Sequence, residues 1–349
     1  MSDYLKLKEI LLPILNCPSC KADRPLLLKN GAPEFKHGNL KLHSEHLACT
    51  ECHTQFPITD DFIPIMWTPT LREIFNGVND PTKSSLAANM EIYDAISDDY
   101  HLFTRQNEAI ATRLKNAVKK IIDKQSAPTK NMLHLDFGCG PGHVLGWLKE
   151  FGFTQIGMDV SINNLRNSRK NTGALVVCGD ATCMPFANQS IDLVTESSVL
   201  HHILDWKLAV KDATRVSKKT GGIVIDSEPS QAQLAWSKLA ITVFDFRFIV
   251  YKFLSYVSKD KYIFRNTDQA KRNLMAEIHH QPGTGISAEE VHKIFISSGF
   301  HSEIISSPTP ELVSKSKPGW KGIILNLLSA RNPWNPAYGP FTGVAIPRK

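Results

Sequence analysis

Two groups of residues in this chain have types and spacings that suit chemistry. The first is four cysteines in two close pairs, Cys17-Pro-Ser-Cys20 and Cys49-Thr-Glu-Cys52, separated by 28 residues. Thiolates three positions apart reach one tetrahedral Zn²⁺, and two such knuckles fill its shell without leaving a position for water. The pairs therefore predict a structural zinc site on Cys17, Cys20, Cys49 and Cys52, against the plainer reading of two unconnected reduced pairs. His37, His43, His46 and His53 lie nearby, but four sulfurs already satisfy the metal. The spacer leaves room for a small strand-rich insertion.

The second group is the loop in HLDFGCGPGHVLGWL, from His134 to Leu148, with Gly138, Gly140 and Gly142 inside five positions. A triphosphate-binding loop ends in Gly-Lys-Ser/Thr, which is absent here. The dinucleotide pattern needs a third glycine where His143 stands, so a nicotinamide cofactor is the weaker reading. What remains is D-x-G-x-G-x-G, with Asp136 in the preceding apolar run.

These residues need a scaffold, and the surrounding sequence supplies one. MLHLDF, QIGMDV, ALVVCG, IDLVTES and GGIVIDSE are five short β-rich runs separated by helical patterns, which predicts βαβ units and a mostly parallel sheet. In SAEEVHKIFISSGF, Ser287 and Glu290 form a capping box and Gly299 ends the helix. HSEIISS then supplies a sixth strand and TGVAIPRK a seventh, antiparallel one. The 349 residues and 42% hydrophobic content suit a sizeable core with more than one unit.

In this context the loop resembles class I S-adenosylmethionine-dependent methyltransferases of the type 11 group, over about a hundred residues. The matching pieces are D-x-G-x-G-x-G, Asp159 ending the second strand, Asp180-Ala181 after the third, and ESSVLHHI at the fourth. The resemblance implies an α/β, Rossmann-like fold with a seven-stranded mostly parallel sheet and helices on both faces. It implies S-adenosylmethionine as cofactor, held by Asp136, Gly138, Cys139, Gly140, Gly142, Asp159, Val160, Asp180, Ala181 and Glu196. Within that set Asp136 orients the glycine loop and the cofactor's ammonium, Asp159 accepts the ribose hydroxyls, and Asp180-Ala181 meets the adenine edge. Tyr93 and Tyr100 precede the core where relatives place aromatics over the methionine end, and Tyr100 joins the set; seven positions apart on a helix, they also suit a core face. An isolated Asp after a strand is often only a helix cap.

A second resemblance covers residues 1–66. LLPILNCPSCKADRPLLL and LACTECHTQFPITDDFIPIM look like the zinc-ribbon activator subunits of tRNA and rRNA methyltransferases. In that family the module supports a methyltransferase domain as a partner. Here the supported domain follows on the same chain, and seven Lys/Arg against eight Asp/Glu in residues 1–66 give no excess for gripping phosphates.

The expected organisation is a zinc ribbon (1–66), a linker with N-terminal helices (67–129), a cofactor-binding core (130–230), a helical lid (231–285), and the rest of the core (286–349) with an insertion at 308–339. The lid stretch is rich in aromatics but carries Lys238, Asp245, Arg247 and Lys252, so no membrane span is expected. The absence of a secretory leader pattern and the reduced cysteines suggest a cytosolic protein.

Methyl transfer from a sulfonium is an in-line substitution in which positioning supplies most of the acceleration. His201 and His202 are the nearest candidate bases; the plainer alternative is that one packs at the helix start and the other borders the pocket. Glu196-Ser197-Ser198-Val199 stands where base-amino methyltransferases carry N/D-P-P-Y/F, which disfavours that chemistry. The favoured acceptor is a small apolar or aromatic molecule, matching a hydrophobic lid. One alternative is rRNA or tRNA, because residues 231–349 hold fifteen Lys/Arg against eight Asp/Glu, among them Lys259, Lys261, Arg265, Lys271 and Arg272. Another is a non-catalytic scaffold that binds cofactor or a protein partner.

Overall fold

The computed structural model describes residues 2–22, 39–75, 108–125, 128–246, 277–306, 320–332 and 339–348. Tyr93, Tyr100, His37, Lys259, Lys261, Arg265, Lys271 and Arg272, with most of the lid and of the 308–339 insertion, lie outside the described residues.

The alternating runs form one eight-stranded sheet. Its strands are β4 (Ile65–Met66), β5 (Leu133–Phe137), β6 (Thr154–Asp159), β7 (Leu175–Gly179), β8 (Ile191–Ser197), β9 (Ser217–Pro229), β10 (Phe300–Ser306) and β11 (Pro340–Pro347). Their order is β10-β11-β9-β8-β5-β6-β7-β4. The block from β9 to β4 is parallel, and β11 runs antiparallel to both β9 and β10. Central strands carry near-continuous apolar side chains because helices cover both faces: Leu135, Phe137, Ile156, Val177, Val194 and Ile223 are fully buried.

On one face, helix Glu108–Ile122 presents Leu114, Ala117, Val118 and Ile121, a helical stripe that packs with Leu193, Val224 and Val344. On the other, helix Trp206–Val216 is capped by the Asp205 carboxylate, which accepts the Leu208 N–H, and buries Trp206, Ala209, Val210, Ala213 and Val216. At Ser287 the N-cap half of the expected capping box forms, its hydroxyl accepting the Glu290 N–H, while the Glu290 carboxylate pairs with Lys207 at 3.1 Å.

The eighth strand is the departure from the seven expected. A smaller antiparallel sheet, β1 (Leu40–Leu42), β2 (His46–Cys49) and β3 (Gln55–Pro57), holds the second cysteine knuckle. The chain leaving it then pairs Ile65 and Met66 with Cys178 and Gly179 at the open edge of β7. An uncovered edge invites pairing, and the FIPIM segment closes it. Leu7, Leu11, Leu15, Leu47 and Phe56 share one apolar cluster with Met184, Phe186 and Leu135. Main-chain hydrogen bonds join Asn16 to Pro185 and Ala187 to Ile14. Asp61 receives Arg166 and Arg169 from helix Ile162–Thr172, and the Trp67 indole donates to Cys178 Sγ at 3.1 Å. The N-terminal module therefore shares a core with the large sheet.

Candidate active site

The chain order reverses at β5: it proceeds through β6 and β7 to one side, then returns to place β8 and β9 on the other. Such a switch opens a crevice at the carboxyl ends of the strands. Asp136, Asp159 and Asp180 stand at or just beyond those ends on β5, β6 and β7.

The glycine loop is tied in from below. The Cys139 N–H donates to Met158 O and its carbonyl accepts from Gly142 N. Gly138 has φ +65°, and a Cβ there would lie 2.4 Å from a Val199 methyl, so only glycine lets this loop touch the turn after β8. Gly140 faces open space, with nothing within 4 Å of where a Cβ would stand. Asp159, half-buried, accepts the Gly140 N–H at 2.9 Å through Oδ2 and the Ser161 N–H at 2.9 Å through Oδ1. Burial raises the Asp159 pKa, against hydrogen bonds from the Ser161, Gly140 and Val160 main chain and the Asn164 side chain, which favour the charged form.

Asp136 is fully buried. Its Oδ1 accepts the Thr195 hydroxyl at 2.7 Å, which in turn accepts from the His134 ring nitrogen at 2.8 Å. Its Oδ2 has no protein partner among the described residues. Burial pushes the Asp136 carboxyl up to about 8, with Asp159 adding to the rise, while burial lowers His134 to about 3 and keeps that ring neutral. A buried carboxyl with one orphaned oxygen beside an open loop fits a ligand that brings a hydrogen-bonding cation.

Other expected members play different parts. The Cys139 thiol turns into the core beside Leu145 and Leu165 and donates weakly to Ser168 Oγ, so it contributes through loop shape. Gly142, at φ +94°, packs against Ser168 and Thr172 of the neighbouring helix. The Val160 carbonyl accepts from Cys178 Sγ. Asp180 caps the turn beginning at Ala181, its Oδ1 accepting both the N–H and the hydroxyl of Thr182; its position agrees with the cap reading and with the adenine reading alike. Glu196 is fully buried, its Oε2 accepting the Val199 N–H at 3.2 Å. Burial and the neighbouring Glu228 hold its carboxyl well above the usual range.

No sequence motif singles out Glu228, at the end of β9. Its Oε1 accepts the N–H groups of Val199 and Leu200 at 2.6 and 2.8 Å, and its Oε2 accepts the His201 N–H and ring Nδ1 at 3.1 and 3.0 Å. Despite full burial, His201 and these donors keep its carboxyl below the usual range. The signal in the sequence was a lone acidic residue before Pro229 at a strand end. His201, buried, points its other nitrogen at Glu277 Oε2, 3.5 Å away. Burial disfavours the charged ring, but Glu228 and then Glu277 outweigh it and hold the His201 pKa above its ordinary value. Both ring nitrogens thus face carboxylates, Nδ1 towards Glu228 and Nε2 towards Glu277. Ser198 and Ser227 flank this turn at φ +61°, backbone strain of the kind that gathers at functional sites.

In the N-terminal module the four sulfurs converge: Cys17 and Cys52 are 3.6 Å apart, as are Cys20 and Cys49, and all four lie within 4.8 Å of one another. Tetrahedral Zn–S bonds of about 2.3 Å place sulfurs roughly 3.8 Å apart, so the cage fits a zinc ion. The Asn39 side chain and the Glu51 N–H donate to Cys49 Sγ, as structural thiolates require.

The sheet order, the glycine loop and the strand-end carboxylates define a class I S-adenosylmethionine-dependent methyltransferase fold. Residues 135–225 match the family model described as a methyltransferase domain, and residues 8–61 match the one described as Trm112p-like protein. A demethylmenaquinone methyltransferase of Staphylococcus aureus (strain MRSA252) is 30% identical over 177 residues, 49% of this chain and 71% of the relative. Its counterpart in strain Newman is 29% identical over 216 residues, 60% and 83% of the two chains. A solved complex between the Haloferax volcanii Trm112 methyltransferase activator and a methyltransferase aligns over 74% of this chain and 98% of the other, at 15% identity and TM-score 0.42. The chain belongs to the S-adenosylmethionine-dependent methyltransferases and carries a Trm112p-like zinc ribbon at its N-terminal side. Among the described residues no helix is long and apolar enough to cross a membrane.

Proposed function

We propose that this enzyme methylates a small acceptor with an apolar or aromatic body, and that the acceptor enters the crevice between the glycine loop and the turn Leu200–His202. The supporting observation is the pairing of these two elements: Val199 seats against Gly138, so whatever lies on the glycine loop lies beside His201 and His202. Bound S-adenosylmethionine supplies an electrophilic methyl group. Asp136 would hold the ammonium, Asp159 the ribose diol, and the Ala181 main chain with Asp180 the adenine edge. Gly140 leaves the space in which the chain of the cofactor can run, and fixed alignment of methyl and acceptor supplies most of the rate.

Two features favour an apolar acceptor over RNA. The described mouth is rich in carboxylates, with Asp159, Asp180 and Glu277 partly exposed, which repel phosphates. Beyond it, Leu204 is 72% exposed, and Leu239, Val243 and Phe246 recur at helical spacing with their side chains in solvent. Helix Trp320–Leu328 lies alongside, joined through Ser237 to Leu328 and Ser329, and exposes Trp320, Ile324 and Leu327 at the same spacing. Such apolar surface marks a binding face. The demethylmenaquinone methyltransferases named above make a quinol-type acceptor the first to try. The test is transfer of labelled methyl from S-adenosylmethionine to a naphthoquinol and to total RNA. Label in the quinol and none in RNA supports the proposal; label in RNA alone overturns it.

A further inference from the structure

Among the described residues outside the cysteine cage, one more group of side chains has the chemistry and proximity to hold a metal ion. His201, His202 and Glu277 each bring one donor atom, and the three donors lie within 4.8 Å of one another. They come from two separate stretches that are clipped together, since the His279 N–H donates to His201 O at 2.9 Å. His280 closes the cluster, its Nδ1 3.2 Å from Glu277 Oε2 and its ring 5.3 Å from that of His201.

The arrangement behind His201 is what gives the cluster its direction. A histidine that binds a metal through one nitrogen usually donates the other ring N–H to a carboxylate, which fixes the tautomer and the ring plane. Glu228 does this. It is fully buried, and it is locked by three main-chain N–H groups in addition to His201 Nδ1. With Nδ1–H on Glu228, Nε2 is the nitrogen that faces Glu277 Oε2, at 3.5 Å, where a metal ion would take the place of a proton. Ligands about 2.1 Å from a shared ion sit roughly 3.0–3.4 Å apart, close to that separation. His202 and Glu277 are half-buried and face the open side.

We propose that His201, His202 and Glu277 form a second metal site, for a divalent first-row transition ion, with Glu228 as the carboxylate that orients His201. Two imidazoles and one carboxylate are a donor set for borderline ions and leave coordination positions open. The site stands on the turn that borders the crevice, so those positions are available to an oxygen of the methyl acceptor. That last step rests on the proposed acceptor side of the crevice; the metal site itself does not.

The test uses the full chain, stripped of metal and reloaded with Co²⁺. The expected result is two equivalents per chain: one with intense thiolate-to-metal charge transfer from the four cysteines, and one with only the weak bands of nitrogen and oxygen ligands. His202→Ala and Glu277→Gln are each expected to lose the second equivalent while keeping the thiolate spectrum, which doubles as a check that the protein is folded. Glu228→Gln is expected to keep the site but weaken it by roughly 10–100-fold. A single equivalent in the unaltered protein, all of it thiolate-bound, overturns the proposal, as does a second equivalent that survives both His202→Ala and Glu277→Gln. An inactive protein that still binds two equivalents would count against the methyl-transfer reading and leave the metal site standing.

Discussion

Asp136→Asn should stabilise the cofactor-free protein while removing its affinity for S-adenosylmethionine. The carboxyl is fully buried, bonded only to the Thr195 hydroxyl among the described residues, and pushed up to about 8 chiefly by burial. In the unfolded chain the same group titrates near 3.9. Between about pH 4 and pH 8 the native state therefore holds a proton that the unfolded state has released, so this residue makes stability fall as pH rises by about 1.4 kcal/mol per unit, levelling off above pH 8. Asparagine resembles the protonated acid: its carbonyl can accept from Thr195, and it has nothing to ionise. The variant's advantage over the unaltered protein should grow from near zero at pH 4 to on the order of 3–5 kcal/mol at pH 8. Urea denaturation of both proteins at several pH values measures that difference with other titrating groups cancelling, and calorimetry at pH 7.5 measures the lost binding. A stability difference that is flat across the pH range, or that favours the unaltered protein at pH 8, would contradict a buried Asp136 that holds its proton in the native state.

Three other perturbations probe the scaffold. Arg113 forms a two-pronged ion pair with the fully buried Asp226, at 2.7 and 2.9 Å, joining helix Glu108–Ile122 to β9; Arg113→Ala should cost about 3–5 kcal/mol in denaturant unfolding because it strands a buried charge. Gly138→Ala should cost about 1–3 kcal/mol and weaken cofactor binding; adding Val199→Ala should recover only the part due to the clash, since φ remains +65°. Cys49→Ser should lower the melting temperature of the whole chain in one transition, by at least several degrees, because the ribbon and the sheet share a core. Two separate transitions in calorimetry would contradict that coupling.

What could be read in the sequence was local. The β-rich runs, the helix cap at Ser287, the two cysteine knuckles and the order of loop, Asp159 and Asp180 are all short-range patterns, and each appears where the spacing placed it. What could not be read depends on contacts between distant segments. Ile65 and Met66 gave no sign that they would extend the large sheet, because an edge strand two residues long has no periodicity. Glu228 became informative only once β8 and β9 were paired, bringing it beneath a turn 27 to 29 residues earlier in the chain. The same holds for Glu277, which reaches His201 across a separation no motif spans. The direction of the Cys139 thiol follows from packing against Leu145 and Leu165, which a loop motif does not encode.

The strand-end carboxylates of β5 to β7 are proposed to hold the cofactor. Calorimetric titration of S-adenosylhomocysteine into the unaltered protein and into Asp159→Ala tests this most directly. The expected result is one site per chain, weakened roughly 100-fold in the variant, the equivalent of two charge-assisted hydrogen bonds to the ribose. Absence of binding to the unaltered protein, or equal affinity in a folded variant, would contradict it.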